Sequence, residues 1–301
     1  MTGGGRPRIG VVVITHNRRD TLLHTLRRLE ELEPRPPVVV VDNASADGTP
    51  DAVAREHPWA VLVRARVNLG GVGRNIGVEA LDTPYVAFCD DDTWWEPGSL
   101  ERAADLLDAH PGLGSVTARI LVEPGGREDP ITAELRDSPV PAPAWLPGPA
   151  LLGVLAGATV FRTTAFRRAG GFSRRLWLGG EEELLALDMA ADGWWMCWDE
   201  GMVVHHAASP VRDSSARRRL GLRNTLWTAW LRRPAGGALR HTWWVLRSAP
   251  FDVSTLRAVL AAAGGAGWVA RERKVLPAEV ESGLRLLQGP RSRSRARRYV
   301  G

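Results

Sequence analysis

Short unbroken apolar blocks alternate with stretches of helical spacing over the first third of this chain. Residues 9–14, 38–41, 60–65 and 85–89 are apolar and largely β-branched, the pattern of strands buried on both faces of a parallel sheet. Between them, residues 19–33 place Leu22, Leu23, Leu26 and Leu29 on one helical face, and Pro34, Pro36 and Pro37 stop that helix. A second helix is expected from about Pro50 to Glu56, and a third opens within the glycine-rich segment 68–77 and ends near Asp82. Strands alternating with helices at this spacing predict βαβ units with right-handed crossovers, hence an α/β fold. Each strand ends in polar residues at its carboxyl end: Thr15, Asp42, Asn68 and Asp90. Open α/β sheets bind ligands along that edge, so a site assembled from separate segments is expected there.

The later pattern is less regular. Residues 97–110 read as a helix with Leu100, Ala103, Ala104 and Leu107 on one face, and 113–122 as an edge pair of strands. Residues 123–149, rich in Pro, Gly and charge, read as a long loop, and 157–161 resume the sheet. A short helix precedes Gly170-Gly171-Phe172, and a longer one follows Gly179-Gly180. Residues 194–198 and 202–204 read as two closing strands ending in His205-His206, followed by a flexible stretch to residue 215. Beyond it the chain turns helical, at 217–233 and from near Ala238, Val253 and Ala278, with a disordered Arg/Ser-rich tail from Gln288. The expected division is 1–212 for the main domain (halves 8–110 and 111–212), 213–289 for a helical region and 290–301 for the basic tail.

Composition narrows the class. The 301 residues carry 39 basic and 34 acidic side chains, 39 − 34 = +5, with the arginines concentrated late, which suits an anionic partner such as a phosphorylated lipid, a membrane surface or nucleic acid. The basic, apolar 217–233 helix either lies on a membrane or packs onto the sheet, and packing is the expectation. Two isolated cysteines, Cys89 and Cys197, provide neither a disulfide framework nor a zinc site. No signal-peptide core and no run of membrane-span length is present, so the expected compartment is the cytoplasm, with membrane association left open.

The chemistry centres on Asp90-Asp91-Asp92, directly after an apolar strand. Asp90 and Asp92 can direct oxygens to one Mg²⁺ or Mn²⁺, which in turn holds phosphate oxygens. Gly71-Val72-Gly73 is not a dinucleotide fingerprint, because the third glycine is Gly77 and the segment follows the third strand. Backbone amides at that helix start, with Arg74, can still hold a pyrophosphate. Glu181-Glu182-Glu183 opens an otherwise apolar helix, where acids suit the helix dipole and one of them can serve as a general base. Trp177, Trp194, Trp195 and Trp198 are suited either to the core or to stacking on sugar faces.

Thr15-His16-Asn17-Arg18, Asp42-Asn43-Ala44-Ser45 with Asp47-Gly48-Thr49, the 68–77 segment and the three aspartates come in order and at matching spacing. Over about residues 8–233 the chain resembles the family 2 glycosyltransferases of the rhamnosyltransferase-like kind, with the GT-A fold. The resemblance implies a mainly parallel, helix-flanked sheet and a metal-dependent, inverting transfer from a UDP-, dTDP- or GDP-sugar. A glycan, a lipid-linked intermediate or a small molecule would accept the sugar. Thr15 and Asn17 would line the nucleotide pocket, Asp42 would contact base or ribose, and Asn68 and Arg74 would lie near the donor. Arg18 and Asp91 belong to the same donor-binding set. Asp90 and Asp92 would hold the metal, and His205 or His206 would stand beside it or the diphosphate. Glu182 matches the catalytic acid of the family's Glu-Asp-x-Asp-Leu pattern and Glu181 its neighbour, leaving the base open between them. The chain departs from the family at His16, where Tyr is common, at Leu184, where the second Asp is expected, and at Asp188, where Arg is common. A sugar-phosphate nucleotidyltransferase and a non-catalytic nucleotide-sugar or nucleic-acid binding protein are the rival readings.

Overall fold

In the computed structural model, which describes residues 6–207 and 214–293, the first ninety residues follow the expected alternation. β1 (Ile9–Thr15), α1 (Arg19–Glu30), β2 (Val38–Asp42), α2 (Thr49–Glu56), β3 (Val61–Arg64), α3 (Gly73–Glu79) and β4 (Tyr85–Asp90) come in sequence. A single 3-10 turn, Gly70–Val72, leads into α3. β2, β1 and β4 are parallel neighbours, with Thr15 opposite Asp42 and Ile14 opposite Asp90. That register brings the polar strand ends to one edge of the sheet, as the sequence pattern requires.

The second half continues the sheet with β5 (Thr93–Trp95), α4 (Ser99–Ala109), β6 (Leu113–Val122), β7 (Arg127–Glu128), α5 (Pro130–Arg136), β8 (Thr159–Arg162), α6 (Thr163–Arg168), α7 (Glu181–Ala191) and β9 (Trp195–His206). The strand order is β3-β2-β1-β4-β8-β6-β9-β5, with β7 beside β6. β8 runs antiparallel to both β4 and β6, and β5 antiparallel to β9, so parallel pairing dominates only the first half.

Three expectations change here. Residues 113–122 form one interior strand between β8 and β9, not an edge pair, consistent with the burial of almost every side chain from Leu113 to Ala118. The two expected closing strands are one: β9 pairs with β6 throughout, with a register shift where Ala118 faces Asp199 and Arg119 faces Val203. Asp199 accepts from the Met202 amide across that bulge and is clamped by Arg102, which tolerates the interrupted ladder. The 123–149 stretch carries β7 and α5, the latter capped by Asp129, whose carboxylate accepts from the Ile131 amide at 2.9 Å.

Alternate residues of the central strands feed two cores, one on each face of the sheet. Val11, Val13, Val38, Val40 and Cys89 pack with Leu22, Leu26 and Leu100 of α1 and α4. Val12, Val39, Val86 and Phe88 pack on the other face with Val78, Phe166 and Leu185 of α3, α6 and α7. The Gly77 Cα is where these layers touch, since a Cβ there would stand 2.3 Å from Val12 Cγ1.

The helical region comprises α8 (Ser214–Arg232), α9 (Ala235–Ser248), α10 (Val253–Gly264), α11 (Ala266–Glu272) and α12 (Ala278–Arg293). α8 packs within the protein: Leu226, Ala229 and Leu231 are buried, Trp227 Nε1 donates to the Ala262 carbonyl and Trp230 Nε1 to the Thr242 hydroxyl. Helix α12 reaches Arg293, past the start expected for the tail, and residues 294–301 lie outside the described residues. So do residues 208–213 of the expected flexible stretch.

Candidate active site

The loops after β1 and β2 are stitched into one rim. Asn17, at φ 53°, donates its backbone amide to Ser45 Oγ at 2.8 Å and accepts from the Ala46 amide through Oδ1 at 2.7 Å. His16 Nδ1 lies 2.8 Å from the Asn43 carbonyl. Asp42, almost completely buried, accepts from the Ser45 amide through Oδ2, while its buried Oδ1 has no partner. An enclosed carboxylate oxygen without a donor is costly and marks a place for a ligand N–H or O–H.

The glycine-rich segment closes the rim from the other side. Asn68 Oδ1 accepts from the Gly70 amide, and Asn43 Nδ2 donates to the Gly70 carbonyl. Trp177 Nε1 donates to the Asn68 carbonyl at 3.0 Å, placing that tryptophan at the site. Trp198 is buried in the core on one face of the sheet with Trp194 half-buried against that core, and Trp195 is half-buried on the other face. Gly70 sits at φ 58°, and a Cβ on Gly71 would stand 2.6 Å from Glu181 Oε1. Glycine is thus required for a positive φ at the first position and for close approach to a carboxylate at the second.

The three aspartates diverge. Asp90, with 42% of its side chain exposed, accepts from Arg74. Asp91 and Asp92 turn toward Arg18, which reaches Asp91 Oδ1 through Nε and Asp92 Oδ2 through an Nη, both at 3.1 Å. Thr15 Oγ1 also donates to Asp91. Burial pushes the Asp91 carboxyl up to about 7, outweighing the opposing effect of Arg18. Arg74 is itself buried, with its guanidinium over the Phe172 ring and its Nε unpartnered, so it lies beneath the acids and not out in the open cleft.

The two histidines at the end of β9 point to opposite faces, as adjacent strand residues must. His206 Nε2 stands 3.8 Å from Asp92 Oδ1. His205 is stacked on Trp94 and held between Glu123, 2.9 Å away, and Glu96. It lines a separate cleft of about 490 Å³ with His24, Arg28 and Trp94. Only His206 therefore joins the aspartates. Asp90 and Asp92 are hard oxygen donors of the kind Mg²⁺ and Mn²⁺ prefer. Among the described residues no group of three or more His, Cys, Asp or Glu is placed to hold a metal ion.

Glu181 and Glu182 open α7 after Gly180, at φ 91°. Glu182 Oε1 accepts from the Ala156 amide at 2.6 Å. The next residue, Gly157, lies against Asp90, 3.1 Å from Oδ2 to a would-be Cβ. One short loop thus touches both carboxylates. Glu181 is buried, with Oε2 unpartnered. Both carboxyls sit above the ordinary glutamate range, chiefly because burial penalises their charge. Glu181 repels Glu182 further, and Arg74 opposes the rise in both.

Two departures from the family pattern have structural partners. Leu184 is buried with Leu176, Leu231 and Trp268, where a carboxylate would be desolvated. Asp188 receives both prongs of Arg232 from α8. Two further residues support the site without having been singled out from sequence as part of it, Asn43 and Asn224. Asn224 is fully buried and donates to the carbonyls of Leu176 and Leu178, in the loop before Glu181. Asn43 lies inside the Asp42-Asn43-Ala44-Ser45 motif, which signalled it, whereas the place of Asn224 depends on contacts far apart in the chain.

A mixed, helix-flanked sheet with an acid-lined carboxyl edge, a rim of amide-stitched loops and a helical C-terminal region defines a GT-A-type glycosyltransferase. The chain belongs to glycosyl transferase family 2, whose description matches residues 10–167. It is 27% identical over 288 residues to the N-acetylglucosaminyl-diphospho-decaprenol L-rhamnosyltransferase of Mycobacterium tuberculosis (strain ATCC 25618 / H37Rv), an alignment covering 82% of this chain and 94% of that one. Among solved structures it is similar to a mannosyltransferase from Pyrobaculum calidifontis in complex with GDP-Man and Mn²⁺ (TM-score 0.60, 22% identity, 98% of this chain and 85% of that one). It also resembles residues 1–349 of S. aureus TarS in complex with UDP (TM-score 0.53, 17% identity, 93% and 92%). Family membership makes the chain a transferase and sets aside both the nucleotidyltransferase and the binding-protein readings.

Proposed function

We propose that this glycosyltransferase moves a deoxyhexosyl group, rhamnosyl by analogy with its mycobacterial relative, from a nucleotide-diphosphate donor to a hydroxyl of a polyprenyl-diphosphate-linked sugar. The observation that carries the reading is the loop at Ala156-Gly157, which holds Glu182 through a backbone amide while lying against Asp90. Base and donor-side carboxylate are thereby fixed relative to one another, the arrangement a single displacement needs.

In this reading Asp42 accepts a hydrogen bond from the nucleoside through its unpartnered Oδ1, and Thr15, Asn17 and Asn68 shape the rim around it. Arg18 orients Asp91 and Asp92, and Arg74 orients Asp90. Asp90 and Asp92, with His206 alongside, would hold Mg²⁺ or Mn²⁺, which supplies positive charge to the departing diphosphate. Glu182 takes the proton of the acceptor hydroxyl as oxygen attacks the anomeric carbon, and its raised pKa suits it to that role near neutral pH. Glu181 keeps that pKa high by its charge. One displacement inverts the anomeric centre.

The test is transfer from UDP-, dTDP- and GDP-sugars to N-acetylglucosaminyl-diphospho-polyprenol with Mn²⁺, with the product's anomeric configuration read by NMR. One donor should be used, with inversion, and Glu182→Gln should cut turnover at least about 10²-fold while donor still binds. Retention of configuration, or undiminished turnover in Glu182→Gln, would overturn the mechanism.

A further inference from the structure

Helices α9 and α10 are anchored to α8 on one side and uncovered on the other. The Trp230–Thr242 and Trp227–Ala262 hydrogen bonds hold their inner faces, where Ala238, Val245 and Ala258 are buried. On α9, Leu239, Trp243 and Leu246 recur at helical spacing on the outer face, with Trp243 63% exposed. On α10, Val253, Leu256 and Leu260 do the same. Phe251, in the connection between the helices, is completely exposed. An uncovered run of this size on a folded chain is a docking surface and not scattered apolar residues.

The charge pattern indicates what covers it. Arg240 and Arg247 flank the α9 stripe and Arg257 the α10 stripe. From residue 235 to 271 the sole acid is Asp252, which is already paired with Arg218. Exposed Trp, Phe and Leu bordered by arginine and free of acids fit the interfacial zone of a bilayer with an anionic surface. No single helix among the described residues is long and apolar enough to cross a membrane. The bent pair α10–α11 has the length and composition, but Trp268 and Val269 of α11 are buried within the protein.

We propose that the α9–α10 face lies on an anionic phospholipid membrane, embedding Leu239, Trp243, Phe251, Leu256 and Leu260 at headgroup depth. The surface assignment stands apart from the transfer chemistry and does not depend on which acceptor is used. It also leaves the 217–233 helix to packing, as the sequence led one to expect.

The test is co-sedimentation of the full chain with vesicles of phosphatidylcholine alone and of phosphatidylcholine with phosphatidylglycerol, alongside its oligomeric state by light scattering without lipid. Binding should favour the anionic vesicles and weaken with salt. Trp243→Asp with Leu256→Asp should cut it at least about ten-fold, the loss of two embedded side chains. The triple change Arg240→Gln, Arg247→Gln and Arg257→Gln should remove the anionic preference while leaving donor binding intact. All these side chains face solvent, so an unchanged nucleotide-induced thermal shift verifies folding in each variant. Binding to neither vesicle, binding indifferent to the Asp pair, or a lipid-free dimer that the Asp pair splits into monomers would each overturn the proposal.

Discussion

Asn224 on α8 donates to the carbonyls of Leu176 and Leu178, fixing the loop that delivers Glu181 and Glu182 to the sheet edge. Its Oδ1 is occupied in turn by the Arg223 guanidinium. The base proposed here would therefore be positioned by the helical region as much as by its own helix. Asn224→Leu removes the donor to the Leu178 carbonyl, while the Leu176 carbonyl keeps the Leu178 amide and Arg223, and should cost about 1–3 kcal/mol of stability. We expect kcat to fall with the donor dissociation constant unchanged, checked by thermal unfolding and steady-state kinetics.

Glu182→Gln keeps an oxygen for the Ala156 amide but removes the base, so turnover should drop about 10²–10⁴-fold. The folded state binds protons at Glu181 and Glu182 more tightly than the unfolded chain, because both carboxyls are raised by burial. Their contribution to stability is thus greatest at low pH and is lost as pH rises from the ordinary glutamate value through the raised ones. The variant should melt at a higher temperature than the wild type at neutral pH, and the difference should vanish in acid. Activity of the wild type should rise with pH through the same window. Calorimetry and a pH–rate profile at matched donor saturation read the two effects.

A nucleotide at about one hundred times its dissociation constant stabilises a protein by roughly 2.7 kcal/mol. We expect such a shift for one of UDP, dTDP and GDP in the presence of Mn²⁺, lost with EDTA and in Asp92→Asn. His205→Ala should leave it unchanged, since that ring faces Glu96 and Glu123 and not the aspartates. His206→Ala should reduce it.

Gly77→Ala forces a methyl group into Val12 between α3 and β1. Overpacking of this kind should cost about 1–3 kcal/mol. Gly71→Ala intrudes instead on Glu181 Oε1, and should lower turnover more than it lowers the melting temperature.

The donor half was readable because each of its signals is local. Val38 to Val41 are buried on both faces and Asp42 follows directly, so strand and ligand edge come from adjacent letters. The Asp90 to Asp92 cluster was visible, but its division between Arg74 and Arg18 depends on contacts 16 and 74 residues apart in sequence. The choice between His205 and His206 needed the register of β9 on β5, which no spacing rule supplies. Helix α5 was missed although Asp129-Pro130 is a proper helix start, because the surrounding Pro and Gly outweighed it. The role of Asn224 lay 45 residues or more from its partners and became legible only when α8 met the loop.

Arg232 on Asp188 and Leu284 in the same core as Leu185 join the helical region to α7, and Arg233 on the buried Glu281 ties α12 to the end of α8. Without the helical region, Leu176 and Leu184 would lose their buried partners Leu231 and Trp268, and Asp188 its cation. Anyone seeking a minimal enzyme, or grafting this donor half onto another acceptor module, must carry the C-terminal helices along. If both proposals hold, the same helices would grip the base and meet the membrane.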